Sequence, residues 1–238
     1  MSKNSERFAG IFDGLKIAYG TYRVDRTKTN GKTTGKAAVV KEPRSPSLWE
    51  GHLSGEGDAI GIIPINEDSN CIWGCIDVDQ YPLDHLELVT KIRRMKLPLV
   101  VCRSKSGGAH CFLFTSDWIS AKDMQSVLQH IAAALGFGGS EIFPKQTSLN
   151  LKRGDVGNFL NLSYYDAEDG LRYAINDDGS AATLEEFFDL HTKYVQTPQQ
   201  IDSLTIEEDT ESAVQDGPPC LQILCKEHIS EGGRNNGL

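Results

Sequence analysis

The sequence predicts an α+β fold in which helices pack on one face of a sheet, close to the ferredoxin-like or RNA-recognition-motif-like arrangement. Three observations predict it. An apolar run ends in "CIDVD" at residues 75–79, a helical pattern follows it, and two short apolar runs separated by a glycine-containing turn come next. A second helical pattern then follows, so the order is strand, helix, hairpin, helix.

The helices are predicted from apolar residues at helical spacing and from capping residues. The first segment, "YPLDHLELVTKIRRMKL", carries apolar residues from Leu83 onward, with Pro82 near its start. Ser120 and Asp123 resemble an N-cap arrangement for a second helix, which Gly136 ends. The last clear helix is "TLEEFFDLHTKYV".

The remaining strands and the domain limits follow from apolar runs and composition. "LVVC" and "HCFLFT" are predicted as the hairpin strands, and "EIFPKQ" and "VGNFLNLSYY" as further short strands. These elements predict one domain over residues 1–195. Residues 196–217 are acidic and polar with little periodicity, which predicts a linker, and residues 218–238 start a helical pattern that predicts a truncated second module.

Composition indicates an ordinary globular protein. The chain has 39% hydrophobic and 24% charged residues, no apolar run near the length of a membrane span, and no secretory signal at its start. We therefore expect a cytoplasmic protein with no membrane partner. A net charge of −9 argues against a protein that coats nucleic acid generally.

The six cysteines are predicted to be free. Cys71, Cys75, Cys102 and Cys111 lie in or beside apolar strand-like runs, where cysteine behaves as a small buried hydrophobe. No C-x-x-C pair exists, so no structural zinc is expected.

Charge is unevenly distributed along the chain. Basic residues exceed acidic ones by six between residues 15 and 44, whereas residues 166–216 hold fourteen acidic residues against Arg172 and Lys193. The basic run is either a solvated loop or a nucleic-acid contact. Its "GKTTGK" is not a phosphate-binding P-loop, because Arg26 stands where that motif needs glycine and Ala37 follows Lys36.

Asp77 and Asp79 are the first candidate functional residues. Side chains alternate along a strand, so both carboxylates lie on one face and repel each other unless a cation lies between them. A divalent ion such as Mg²⁺ takes such oxygen ligands. The alternative is a pair of solvated residues at a strand end.

Two further stretches carry candidate residues. In "CRSKSGGAH", glycines permit close approach to phosphate oxygens, while Arg103, Lys105 and His110 add charge or hydrogen-bond donors. In "SEIFPKQ", Glu141 offers a third carboxylate and Lys145 a mobile charge. The alternatives are an ordinary turn, a packed core histidine and a surface loop.

Together the stretches "IDVD", "SKSGGAH" and "EIFPKQ", in that order, resemble the archaeo-eukaryotic primase (AEP) superfamily, in particular the primase-polymerases of phages, plasmids and other mobile elements. The resemblance covers roughly residues 45–175 and includes "LWEGHLSGEGDAIGIIPI" and "VGNFLNLSYY". It implies the AEP primase fold and makes residues 1–195 a catalytic domain.

The resemblance assigns roles to particular positions. Asp77 and Asp79 match the metal-binding pair, and Glu141 matches the third acidic position, with Asp155 and Asp166 as alternatives. His52 is not assigned. The residues implied to bind the incoming nucleotide are Arg103, Lys105, Ser106, His110, Lys145 and Asn158.

The implied activity is template-dependent nucleotidyl transfer with two Mg²⁺ or Mn²⁺ ions. The implied partners are a single-stranded DNA template with its primer, a dNTP or NTP, and a helical or helicase region further along the same polypeptide. Two other interpretations are a non-catalytic nucleotide-binding module of the same fold and a rolling-circle replication initiator. The latter needs two metal-binding histidines, and "AHCF" supplies one.

Overall fold

A computed structural model describes residues 1–29 and 32–206, with side chains described outside residues 23–35. The described chain forms two four-stranded antiparallel sheets with helices packed around them, which confirms the predicted α+β class. The first sheet, which we call the hairpin sheet after its paired strands β1 and β2, has the order β2-β1-β3-β8. Its strands are β1 (Tyr19–Thr29), β2 (Lys32–Val40), β3 (Ala59–Ile62) and β8 (Leu160–Asn161).

The second sheet has the ferredoxin-like order predicted from the sequence. Its strands are β4 (Asn70–Val78), β5 (Leu99–Arg103), β6 (Ala109–Ser120) and β7 (Glu141–Phe143). Helix α3 (His85–Arg94) joins β4 to β5, and α4 (Ala121–Ala134) joins β6 to β7. The order across this ferredoxin-like sheet is β5-β6-β4-β7 and all neighbours are antiparallel, which is the split βαβ topology.

Local capping explains where the two connecting helices begin and end. The Asp84 side chain accepts from the backbone N–H of Glu87, so α3 begins after Asp84 rather than at Pro82. Ser120 caps α4 as predicted, accepting from Lys122 N. Gly136 follows α4 with a φ of 85°, a left-handed conformation that favours glycine.

The two faces of the ferredoxin-like sheet pack against different layers. Its outer face is covered by α3 and α4, whose buried residues include Leu88, Val89, Met124 and Leu128. Its inner face meets the hairpin sheet and the helices α1 (Lys3–Ile11), α2 (Pro46–Ser54) and α5 (Leu184–Tyr194). That inner layer is rich in aromatic side chains, among them Phe8, Phe12, Trp73, Phe112 and Phe187.

The four cysteines in the strands are free and buried, as predicted. Burial raises the pKa of the Cys71 and Cys102 thiols to about 12, so both stay protonated at neutral pH. They act as small apolar side chains in the core.

The chain after α5 differs from the predicted linker. Residues 198–202 form a short helix, α6 (Pro198–Asp202), which Thr197 caps and whose Ile201 is buried. Gln196 N–H also donates to the carbonyl of Phe114 in β6. Residues 196–206 therefore pack on the domain, whereas the rest of the predicted linker and the predicted module at 218–238 lie outside the described residues. Among the described helices, none is long and apolar enough to cross a membrane.

Candidate active site

Strand β4 carries the predicted carboxylates to the edge of the inner face. Asp77 lies one residue before the end of β4, and Asp79 follows two residues later. Tyr81 donates its hydroxyl to Asp79 Oδ1 at 2.8 Å. The apolar side chains of Ile76 and Val78 are buried on the opposite face, which fixes the direction in which the two carboxylates point.

Asp77 is flanked by two other predicted site residues. It is directly opposite His110 in β6 and directly opposite Glu141 in β7. Residues directly opposite in antiparallel strands share a face, so His110, Asp77 and Glu141 form a row across three strands. His110 Nε2 lies 3.5 Å from Asp77 Oδ1, and Lys145 Nζ lies 2.6 Å from Glu141 Oε2.

The electrostatics of this row resist full ionisation. Burial, followed by repulsion from Asp79 and Glu141, raises the pKa of Asp77 to about 6, and Lys145 partly offsets this increase. Asp77 Oδ1 is buried and has no hydrogen-bond partner among the described residues. A buried carboxyl oxygen in that condition favours either protonation of the group or a cation or donor from a ligand.

Asp77, Asp79 and Glu141 supply carboxylate oxygens, the ligands that a hard divalent cation takes, and Asp77 Oδ1 is unsatisfied. Within the described residues, no three His, Cys, Asp or Glu side chains already converge on one point as a complete metal centre. Glu141 instead forms an ion pair with Lys145.

The turn between β5 and β6 is held against the end of β4. A side chain at Gly108 would place its Cβ 2.3 Å from the carbonyl oxygen of Val78, so only glycine permits this approach. Gly107 has a φ of 95°. From α3, His85 Nε2 lies 3.0 Å from the carbonyl oxygen of Gly108. The glycines therefore position Ser106 next to the aspartates.

His110 is buried and neutral in this environment. Burial, followed by the charge of Arg172, lowers its pKa to about 4, although Asp79 acts in the opposite direction. Its Nδ1 atom is buried, and no described residue forms a hydrogen bond with it. A buried ring nitrogen without a partner, on a residue that lines a cleft, is typical of a ligand contact rather than of a packed core histidine.

His110 and Asp77 line a cleft of about 260 Å³ between the two sheets, whereas Glu141 does not line it. Sequence reasoning identified five of its lining residues, which are Asp77, Asp79, Lys105, Ser106 and His110, and missed four, which are Tyr22, Ser104, Asn161 and Arg172. The Lys105 ammonium group contacts the hydroxyl and the ring of Tyr22. Within the described chain, Ser104 Oγ and Asn161 Oδ1 are buried without partners, as Asp77 Oδ1 is.

Arg172 is the most informative of the missed residues. Its side chain is buried, with a relative exposure of 7%, and burial lowers its pKa. Among the described residues, no carboxylate lies within 4.0 Å of it, and the hydrogen bond to the carbonyl of Leu162 is long at 3.4 Å. A buried guanidinium in these surroundings favours an anionic ligand in the cleft. Between residues 166 and 216, Arg172 and Lys193 are the two basic residues among fourteen acidic ones. This uneven charge was the feature of the sequence that could have identified Arg172 as a candidate.

Several predicted residues lie outside the cleft. Arg103 donates to the carbonyl of Leu171, and Asn158 pairs with Gln146. Lys145 lies on the Glu141 side of Asp77, away from the turn. Of the two alternative acidic positions, Asp155 is exposed and accepts from Asn150 N, and Asp166 lines a different cavity.

His52 proves to be part of the core. Its Nδ1 accepts from Ile60 N at 3.1 Å and its Nε2 donates to the carbonyl of Ser163 at 2.8 Å. Burial lowers its pKa to about 4. Both ring nitrogens are satisfied, so His52 joins α2 to the strands as a structural residue.

A larger cavity, of about 820 Å³, shares no lining residue with the cleft. Four carboxylates, those of Glu50, Asp166, Glu168 and Glu185, lie around it, and none of its described lining residues is basic. Such a lining repels a polyanion, so size alone does not identify the nucleotide site.

A family model places the chain in the archaeo-eukaryotic primase class. It is described as "TOTE conflict system, Archaeo-Eukaryotic Primase domain" and matches residues 17–170, more than half of the 238 residues, so the chain belongs to this family. The predicted resemblance is thereby confirmed. Membership supports a primase-type nucleotidyltransferase role for the domain.

Three solved structures are similar to the chain. The AEP domain of the cyanophage S-2L primase-polymerase is 9% identical over 79% of this chain and 96% of its own, with a TM-score of 0.45. The catalytic domain of primase RepB′ in complex with initiator DNA is 12% identical over 84% of this chain and 95% of its own, with a TM-score of 0.39. A second RepB′ structure is 11% identical over 96% of this chain and 67% of its own, with a TM-score of 0.39. No curated protein matches the chain.

Proposed function

We propose that the chain is a template-dependent primase-polymerase that transfers nucleotides to the 3′ end of a primer on a DNA template. The observation that carries this proposal is the row His110–Asp77–Glu141, of which His110 and Asp77 line a cleft where a buried arginine has no carboxylate partner among the described residues. Carboxylates next to unpaired cationic and donor groups suit a nucleoside triphosphate, whose charge must be matched. The assignment to replication of a phage, plasmid or other mobile element stays a prediction.

The side chains of the cleft would bind the triphosphate. Ser106 and Lys105 lie in the turn, His110 closes it, and Arg172 faces them from the segment before α5. Their donors and positive charges would hold the β- and γ-phosphates and stabilise the leaving pyrophosphate. The neutral form of His110 suits this role, because a neutral imidazole carries one N–H group, which can be donated to a phosphate oxygen. Its Nδ1 has no partner among the described residues, and its Nε2 lies 3.5 Å from Asp77 Oδ1.

Asp77, Asp79 and Glu141 would hold divalent cations, the two Mg²⁺ or Mn²⁺ ions that the family resemblance implies. When bound, such ions activate the primer 3′-hydroxyl and neutralise phosphate charge. The chain's own contribution is to fix the carboxylates on a buried strand, since reacting groups must be held close to their productive geometry. The Lys145 ammonium group neutralises Glu141 in the metal-free protein.

Primer extension tests the proposal. A 5′-labelled DNA primer on a longer template is incubated with the chain, Mg²⁺ or Mn²⁺, and either dNTPs or NTPs. We expect extension that depends on the divalent ion and the template and that Asp77→Ala abolishes. Binding of a fluorescent nucleotide analogue without any extension would instead identify a non-catalytic nucleotide-binding module.

A further inference from the structure

We infer that Arg103 is a positioning residue for Arg172. Its guanidinium group holds the segment that carries Arg172 against the glycine turn, and it does not contact the nucleotide itself. The inference rests on the proposed function, in which Arg172 binds the triphosphate. It replaces the role that the family resemblance implied for Arg103, which was direct contact with the nucleotide.

Strand β5 directs the Arg103 side chain away from the cleft. Arg103 is the last residue of β5 and lies directly opposite Ala109, whereas its neighbour Cys102 lies directly opposite His110. Side chains alternate along a strand and directly opposite residues share a face, so Arg103 leaves the sheet on the face opposite to that of His110. Ala109 belongs to the core on the outer face, and Arg103 does not line the cleft.

From that face the side chain reaches the segment that carries Arg172. Strand β5 is at the edge of the ferredoxin-like sheet, and the backbone N–H of Arg103 donates to the carbonyl of Tyr173 at 2.8 Å. The side chain adds a second bond, in which Nη1 donates to the carbonyl of Leu171 at 2.9 Å. Arg103 therefore holds the backbone on both sides of Arg172.

The bond to Leu171 lies where little else restrains the chain. The Leu171 side chain is 65% exposed, so its burial contributes little to holding this point of the backbone. On the other side of Arg172 the segment is already held by the backbone bond to Tyr173. The Arg103 side chain thus restrains the one flank of Arg172 that packing leaves exposed.

The same guanidinium group also lies against the turn between β5 and β6. Arg103 Nη2 is 3.6 Å from the position that a Cβ atom on Gly107 would take, which is ordinary van der Waals distance. That turn carries Lys105 and Ser106, which line the cleft together with Arg172. Arg103 therefore sets the spacing between two groups of proposed phosphate ligands, and such spacing decides how well they bind together.

A double-mutant cycle tests whether Arg103 acts through Arg172. Arg103→Met keeps an unbranched side chain and removes its donors and charge. It should raise the Kd of a fluorescent dATP analogue, measured by anisotropy with Mg²⁺, by roughly three- to tenfold. In an Arg172→Met background the same change should raise the Kd less than about twofold, because the group that Arg103 positions is absent. In an Asn161→Ala background the full effect should remain.

Hydrogen exchange of the nucleotide-free chain separates positioning from direct contact. Arg103→Met should speed the exchange of the Tyr164 amide, which donates to the carbonyl of Arg172 at 2.6 Å. A residue that only binds phosphate would leave this amide unchanged before nucleotide is added. Arg153→Met, the same substitution at an exposed arginine outside the cleft, is the control and should change neither exchange nor nucleotide affinity.

Two results would overturn the inference. Equal losses of affinity in the wild-type and Arg172→Met backgrounds would make Arg103 a direct nucleotide contact if exchange is unchanged, and a structural residue that does not act through Arg172 if exchange is faster. Unchanged nucleotide affinity in Arg103→Met would also refute it.

The outcomes separate the inference from the proposed function. If the chain shows the expected coupling between Arg103 and Arg172 but extends no primer, the inference holds and the catalytic proposal fails. If the chain extends primers and the two substitutions act additively, the inference alone fails. A chain that binds no nucleotide refutes both.

Discussion

Two buried histidines of this chain differ in how completely the protein satisfies them. His52 and His110 are both buried, and burial lowers the pKa of each to about 4. His52 has a partner at each ring nitrogen, at 3.1 Å and 2.8 Å. Among the described residues, His110 has no partner at Nδ1, and its Nε2 lies 3.5 Å from Asp77 Oδ1.

The difference shows how to separate a structural polar residue from a functional one. Burial and a shifted pKa are the same at both sites, so neither property identifies the active site. The clustering of unsatisfied atoms does: of the seven buried side-chain atoms without a partner among the described residues, those of Asp77, Ser104, His110 and Asn161 line the same cleft. The other three, on Arg93, Thr115 and Ser163, do not line it. A buried polar group without a partner is costly, and a group of them in one cleft indicates a missing ligand.

The largest effect is expected from Asp77→Asn, which keeps the shape of the side chain and removes its charge. Primer extension should fall about a thousandfold or more, a loss typical of removing a group that stabilises transition-state charge. Asp155→Asn, a change at an exposed carboxylate outside the cleft, should leave the extension rate unchanged. Near-normal extension by Asp77→Asn would end the carboxylate-row interpretation.

The same variant should be more stable than the wild type in alkaline, metal-free buffer. The native pKa of Asp77 is raised from 3.8 to about 6, so its contribution to stability is full below pH 4 and is lost as the pH rises through about 6. Asp77→Asn removes this loss, worth up to about 3 kcal/mol. Thermal unfolding in EDTA at pH 8 and at pH 4 checks this, because the difference in Tm should be present at pH 8 and small at pH 4.

The next largest effect should come from His52→Ala, and it should be an effect on stability. The substitution leaves a cavity and two unpaired backbone groups, which together cost about 2–4 kcal/mol. Because the native pKa of His52 is lowered, its stability contribution is present above pH 6.5 and is lost as the pH falls through about 4. Chemical denaturation at several pH values measures both, and the variant should lose less stability between pH 6.5 and pH 4 than the wild type does.

His110→Ala and Arg172→Met should show the reverse pattern, with weaker nucleotide use and little loss of stability. Each removes a contact to phosphate, and a charge-assisted hydrogen bond is worth about 1.5–3 kcal/mol, or roughly 10- to 150-fold in kcat/KM. Arg172 has no carboxylate partner among the described residues, so its removal leaves none of their carboxylates buried and unpaired. A large fall in Tm for Arg172→Met, with an unchanged nucleotide KM, would make it a structural residue.

The sequence predicted the parts of the site that local patterns determine. Asp77 and Asp79 share a face because side chains alternate along one strand. His110 follows a short glycine-containing turn at the start of β6, so its position next to that turn could be predicted from the sequence alone. The ferredoxin-like order was predictable because its strands and helices alternate without long insertions. These inferences needed no knowledge of the second sheet.

The parts that sequence reasoning missed depend on packing between distant segments. Tyr22 and Asn161 come from the hairpin sheet and Arg172 from the segment before α5, and only the approach of the two sheets brings them to Asp77. The helix α6 was missed because five residues with one buried side chain, Ile201, give no helical periodicity. Its capping residue Thr197, followed by proline, was the local signal.

The smallest effect is expected at an asparagine of the cleft. The sequence predicted Asn158 as the nucleotide-binding residue, whereas the structure places Asn161, three residues further on, in the cleft. Strand β8 has two residues, and its pairing with Gly61 directs Asn161 into the cleft, while Asn158 stays exposed against Gln146. Asn161→Ala should raise the nucleotide KM by roughly two- to tenfold, the value of one neutral hydrogen bond. Asn158→Ala should leave the nucleotide KM unchanged, because its amide contacts another side chain outside the cleft. Titration of the incoming nucleotide at saturating primer–template compares the two variants, and a larger effect at Asn158 would favour the residue chosen from the sequence over the one that the register of β8 selects.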